Sequence, residues 1–212
     1  MPKSKICGLS TPGAVDAAIM GGAAYVGFVF FLASPRNIAL QAAAALARPA
    51  RGKAGVVAVT VDPDDTLIDR LMSELAPDLI QLHGDETPAR VSQVAARAGV
   101  GVIKAVSVAV PEDIRAARVY AGVSSHLMFD AKAPPESAAP GGTGAAFDWS
   151  ILAGQAFERP WFLAGGLDPW NVGQAVRLSG APMVDVSSGV ERGAGLKDPA
   201  LIKAFLEAVR RA

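Results

Sequence analysis

At 212 residues the chain falls in the size range where one hydrophobic core serves the whole molecule, so residues 1–212 read as a single domain. A composition of 51% hydrophobic and 19% charged residues is too apolar for disorder and too interrupted for a membrane protein. Lys plus Arg equals Asp plus Glu at 20 each, which leaves no net field to attract nucleic acid or an anionic membrane, and neither is expected as a partner.

One cysteine, Cys7, excludes an internal disulfide, and with only His83 and His126 besides it no metal site is expected. A reducing cytoplasm suits such a chain. The start, Met-Pro-Lys-Ser-Lys, shows no signal-peptide core, and the longest apolar run, Ala23 to Ala33, is far short of the roughly 20 residues that span a bilayer.

Along the chain, short apolar β-like runs alternate with helical stretches, eight pairs in all. The first run, Lys5–Leu9, carries Cys7 beside Gly8, and Thr11-Pro12 then supplies a cap oxygen and a preset first-turn φ for a helix. The second, Ala24–Phe30, leads into Ser34-Pro35-Arg36-Asn37. Val56–Val61, Leu79–His83 and Val102–Val106 follow, with His83 at a strand end and Lys104 within the fifth run. The sixth, Leu127–Asp130, places a carboxylate after three large apolar residues. A long Pro- and Gly-rich stretch, Ala131 to Phe147, comes next and reads as a functional loop. Trp161–Ala164 is the seventh run, followed by Asp168-Pro169 as a helix start. Met183–Ser187 is the eighth, and Asp198-Pro199 opens Ala200–Ala212, where Leu201, Phe205, Ala208 and Val209 line one side.

Continuous apolar strands alternating with helices imply a parallel sheet buried on both faces. Eight units favour closure, so the expected fold is α/β, a parallel eight-stranded (β/α)₈ barrel of the TIM type, near the lower end of its roughly 200 to 400 residue range. In such barrels polar residues at the C-terminal strand ends face the active site.

By that rule Cys7, Asp130, Asp185, His83 and Arg36 are the residues to weigh. A lone cysteine in an apolar strand is ordinarily an inert small hydrophobe. Asp130 is either a loop cap or an acid whose pKa desolvation raises from about 3.9. Asp185 binds ligand hydroxyls or pairs internally. Arg36 reaches a carboxylate at the mouth or stays on the surface, and His83 orients a partner or lines the pocket. Three glycine clusters occupy the loops after strands six to eight: Gly142-Thr143-Gly144, Gly165-Gly166, and Ser187-Ser188-Gly189. Backbone without a Cβ approaches an anion closely, and these loops commonly hold a phosphate.

Taken in order, Lys5-Ile6-Cys7-Gly8, Gly27-Phe28-Val29-Phe30 through Ser34-Pro35-Arg36, Gln81-Leu82-His83-Gly84, Phe129-Asp130, Gly142-Thr143-Gly144, Ala164-Gly165-Gly166-Leu167 and Val184-Asp185-Val186-Ser187-Ser188-Gly189-Val190-Glu191 resemble the phosphoribosylanthranilate isomerase family over nearly the whole chain. The resemblance implies an Amadori rearrangement of tryptophan biosynthesis, N-(5-phosphoribosyl)anthranilate to 1-(2-carboxyphenylamino)-1-deoxyribulose 5-phosphate. It implies Asp130 as the acid that opens the ring, Cys7 as the base at C2′, a phosphosugar as the partner and no cofactor. Arg36 would face the anthranilate carboxylate, Asp185 would steady the opened sugar, and Cys7 is expected to have a pKa below about 8.5. Monomer and homodimer both stay open. Gly22-Ala23-Ala24 and Val61-Asp62-Pro63 depart from the family's usual wording, away from the inferred site.

Three rivals compete. The related histidine-pathway isomerase resembles a barrel with an aspartate where Cys7 stands. An indole-glycerol-phosphate-synthase-like lyase needs a strand lysine, for which Lys104 is the candidate. A non-catalytic phosphate-binding barrel would keep the loops and lose the turnover.

Overall fold

A computed structural model describes residues 1–133, 141–142 and 144–212. Eight strands, β1 (Lys3–Cys7), β2 (Tyr25–Phe30), β3 (Gly55–Thr60), β4 (Leu79–Leu82), β5 (Gly101–Val108), β6 (His126–Ala131), β7 (Trp161–Leu163) and β8 (Met183–Val186), close into one parallel barrel in sequence order. β1 pairs with β2 and β8, setting Cys7 opposite Gly27 and Lys5 opposite Asp185.

Side chains alternate across each strand, which assigns every position to one of two cores. Cys7, Val29, Val57, Val59, Ile103, Ala105, Met128, Phe162 and Met183 fill the barrel interior. Ile6, Val26, Phe28, Ile80, Phe129 and Val184 face the surrounding helices. The same alternation turns Lys104 outward. Its ammonium donates to Glu86 Oε2 at 2.7 Å and to the Gly84 carbonyl at 2.6 Å, so it serves as a strut under the β4 loop and cannot be a barrel-mouth lysine.

The helices are α1 (Pro12–Met20), α2 (Leu40–Ala47), α3 (Asp65–Arg70, continued by a π-turn at Leu71–Leu75), α4 (Pro88–Ala98), α5 (Pro111–Ala117), α6 (Val172–Ser179) and α7 (Pro199–Arg211). Thr11 caps α1 by accepting from the Ala14 N–H, and Asp198 caps α7 by accepting from Ala200 and Leu201. Asp168-Pro169 behaves otherwise. Asp168 accepts from Trp170 and Asn171 in a tight turn, and α6 starts only at Val172. Along α7 the buried stripe is Ile202, Phe205, Leu206 and Val209, with Leu201 and Ala208 at its edge.

Two features were not anticipated. Between β6 and β7 the described residues hold a 3₁₀ turn, Trp149–Leu152, where an eighth helix was expected. After β8 the chain makes a small antiparallel hairpin, β9 (Glu191–Gly193) with β10 (Leu196–Lys197), beyond a 3₁₀ turn at Ser188–Val190. That hairpin carries Glu191 and Lys197, and Glu191 accepts from Arg36. No helix among the described residues is long and apolar enough to cross a membrane.

Candidate active site

A cavity open to solvent lies at the C-terminal ends of the strands. Cys7, Asp130, Arg36, His83 and Asp185 all line it, together with Gly142, Gly144, Gly165, Gly166, Ser187 and Ser188. The structure therefore gathers nearly every expected site residue on one rim. Thr143 lies outside the described residues.

Gly189 stands apart from the lining. A Cβ on it would come within 1.9 Å of the Leu167 carbonyl oxygen, so its bare backbone is what lets the β8 loop press against the β7 loop. Gly165, with φ +84°, is similarly tight, because a Cβ there would sit 2.4 Å from the Ala131 nitrogen.

Cys7 is buried at the end of β1. Its thiol is pushed upward by burial, against the downward pull of Lys5 and Lys197 and with a further upward push from Asp185. The expectation of a lowered thiol is thus not met, although the adjacent cations it invoked are present. Lys5, wholly buried two residues earlier, donates to Asp185 Oδ1 at 2.8 Å. Burial works against its charge, but Asp185 and Cys7 outweigh that and hold it above the ordinary lysine value. Asp185 is therefore paired internally while it also borders the cavity.

Asp130 has 5% exposure, and its Oδ2 lies 3.1 Å from His83 Nε2. The approach is off the N–H axis, so Nε2 has no aligned hydrogen bond among the described residues. Gln81 Nε2 sits 2.9 Å from His83 Nδ1, and with the amide donating there the ring hydrogen belongs on Nε2. Gln81 Oε1 is buried beside them without a hydrogen-bond partner among the described residues. Gly141 closes over the group, since a Cβ on it would meet Asp130 Oδ2 at 2.7 Å and His83 Nε2 at 2.8 Å.

Arg36 lies in a slot between Gly8 and Gly142, where a Cβ on either would strike its side chain at 2.7 and 2.5 Å. Glu191 grips it bidentately, Nε to Oε1 at 2.7 Å and Nη2 to Oε2 at 2.8 Å, and Nη2 also donates to the Gly142 carbonyl. Lys197 balances Glu191 at 2.6 Å and donates to Ser187 O and Oγ. Glu191 is half-buried. Burial pushes its carboxyl up, but Arg36 and Lys197 outweigh this and hold it below the ordinary range. Lys197 is itself pulled down, by burial first, despite Glu191.

The comparisons with known proteins agree on one family. Residues 4–208 match the model of N-(5′-phosphoribosyl)anthranilate isomerase. The chain belongs to this family. A curated phosphoribosylanthranilate isomerase from Caulobacter vibrioides is 66% identical over 99% of this chain and 96% of its own length. One from Parvibaculum lavamentivorans is 50% identical over 98% of both. Among solved structures, the Thermotoga maritima phosphoribosylanthranilate isomerase superposes with TM-score 0.89 at 32% identity, covering 100% of each chain. A phosphoribosylanthranilate isomerase in complex with reduced 1-(o-carboxyphenylamino)-1-deoxyribulose 5-phosphate gives TM-score 0.86 at 30% identity over 100% of each.

Four contributors escaped the sequence reading as site residues: Lys5, Gln81, Glu191 and Lys197. Lys5 and Gln81 each stand two residues before an assigned group on the same strand, Cys7 and His83, so alternation alone would have turned them into the barrel.

Proposed function

We propose that this chain converts N-(5-phosphoribosyl)anthranilate to 1-(2-carboxyphenylamino)-1-deoxyribulose 5-phosphate by an Amadori rearrangement, with Asp130 as acid and Cys7 as base. One observation carries the reading: the single thiol and the β6 carboxyl border the same cavity, whose rim is formed by the glycine loops after β6, β7 and β8. Those loops suit the phosphate, because their backbone approaches closely and lies at the barrel face where phosphates bind. Arg36 suits the anthranilate carboxylate. Glu191 occupies its Nε and Nη2 edge, and Nη1 makes no hydrogen bond among the described residues, which leaves donors on a side chain that lines the cavity.

The chemistry follows from these placements. Asp130 gives a proton to the furanose ring oxygen and the ring opens to a protonated Schiff base. Cys7 then takes the proton from C2′; its electron pair becomes the C1′=C2′ bond and the iminium π pair returns to nitrogen. His83, beside Asp130, is a further hydrogen-bond donor for the opened sugar, and Asp185 a further acceptor. The ligand is a small phosphosugar, and a buried unpaired cysteine suits the cytoplasm. We keep monomer and homodimer as the alternatives for assembly; one T. maritima relative was crystallised as monomers derived from a dimeric enzyme.

The test is turnover followed by loss of substrate fluorescence. Cys7→Ser and Asp130→Asn are each expected to lower kcat by about 10²-fold or more, with product affinity within a few-fold of the parent. Unaltered turnover in either variant rejects the assignment of that residue.

A further inference from the structure

We propose that Lys5 sets the charge of Cys7: a buried ammonium, counterbalanced by Asp185, keeps the thiolate accessible in a site that would otherwise hold the sulfur permanently protonated. Lys5 is a positioning residue that acts through Cys7, and the inference rests on Cys7 being the base.

Geometry comes first. Lys5 and Cys7 are two apart on β1, so both point into the barrel, one layer above the other. The neighbouring strand makes room for them. A Cβ on Gly27 would lie 3.1 Å from Lys5 Cε and 3.3 Å from Cys7 Sγ, so the missing side chain leaves a common slot for the two. Lys5 is fully enclosed, and Asp185, its register partner on β8, accepts one of its three N–H groups at 2.8 Å. The positive charge of the same ammonium acts on the sulfur, pulling its proton affinity down.

A buried lysine–aspartate pair is weak evidence for stability, since a well-packed apolar pair often does as well or better. Its position directly beneath the thiol is what calls for a reason. Charged groups face Cys7 from three elements: Lys5 on β1, Asp185 on β8 and Lys197 on β10, while β2 contributes Gly27, Val29 and Tyr25. Lys197 is already tied to Glu191 and Ser187. Lys5 is therefore the chief local opponent of desolvation, and Asp185 tempers it.

With burial the largest influence on it, the sulfur is held mainly as a thiol, and a minority thiolate forms by releasing its proton to solvent through the open mouth. That thiolate accepts the C2′ proton: the C–H bond breaks, an S–H bond forms, and the electron pair flows into the sugar–imine system. Lys5 stays charged throughout. It is a fixed charge, not a proton donor.

Because Cys7 is the chain's sole cysteine, alkylation by iodoacetamide reads this sulfur directly. Removing an opposite charge a few ångströms away changes the thiolate fraction by about ten-fold or more. A stronger base is also a better nucleophile, which reduces the effect on rate to about three-fold. At pH 8, Lys5→Met is expected to slow alkylation by about three-fold and Asp185→Asn to speed it by about the same factor, with Cys7→Ser as the unlabelled control. Lys5→Met leaves Asp185 buried and unpaired; should it fail to fold, K5M/D185N removes both charges together and is expected to react more slowly than the parent. Folded variants that alkylate at the parental rate, or K5M and D185N shifting in the same direction, overturn the proposal. Parental turnover in Cys7→Ser would instead overturn the base assignment, whatever the alkylation shows.

Discussion

Arg36 shows how little a residue's type says before its partners are known. In sequence it is an arginine after a proline, as easily solvated as not. In the fold its carbons pass between two glycines and its fork is clamped by Glu191, 155 residues away. Glu191→Gln leaves the shape but not two charge-assisted bonds, and it strips Lys197 of its counter-ion. We expect KM for substrate to rise about ten-fold, or ~1.4 kcal/mol, with a smaller change in kcat. Steady-state kinetics decide it, and a parental KM would mean that Arg36 is aimed without Glu191. Cys7, Asp130, Arg36, His83 and Asp185 were legible because each lies within the last two residues of a strand or follows one. Glu191 and Lys197 were not, because the hairpin carrying them has no apolar period of its own.

Loops and caps divide the labour between the barrel and its rim. The Thr11 and Asp198 starts were readable because a capping oxygen followed by proline is a local device, complete within four residues. Asp168-Pro169 has the same wording, yet its oxygen is spent on a turn that carries the chain away from the glycine loop before α6 begins. The β8 loop rests on that turn through Gly189. Gly189→Ala would force Leu167 and its neighbours outward, a strain of about 1–3 kcal/mol. The expected outcome is a lower urea midpoint together with weaker binding of inorganic phosphate by calorimetry. Parental phosphate affinity in a destabilised variant would show that the β7–β8 loop contact supports the fold but not the anion.

For the molecule as a whole, the displaced pKa values predict a dome of stability against pH. His126, in the barrel floor beside Phe162, is held below its ordinary 6.5 by burial and then by Lys3. Its unfolded form takes a proton first, so stability present above about 6.5 is lost as pH falls through the folded value. Glu191, held below 4.5, adds a second loss at lower pH by the same sign. On the alkaline side, Cys7 lies above its ordinary 9.0 and Lys5 above 10.5, so their contributions are present below those values and are lost as pH rises toward the folded ones, while Lys197, held below 10.5, has the opposite sign and offsets part of that loss. Urea midpoints should be highest between about pH 6.5 and 9; a midpoint that rises from pH 7 to pH 5 would contradict this reading.

Periodicity settled much in advance: apolar runs spaced by helices imply a parallel barrel, and the two-residue repeat along each strand decides which side chains enter it. These are properties of neighbours in the chain, so the chain displays them. Closure between β1 and β8 decided the rest. It brought Lys5 to Asp185 across 180 residues, set both beneath the only thiol, and let burial prevail over two cations. Such pairings depend on register and on solvent exclusion, which exist only once the barrel has shut.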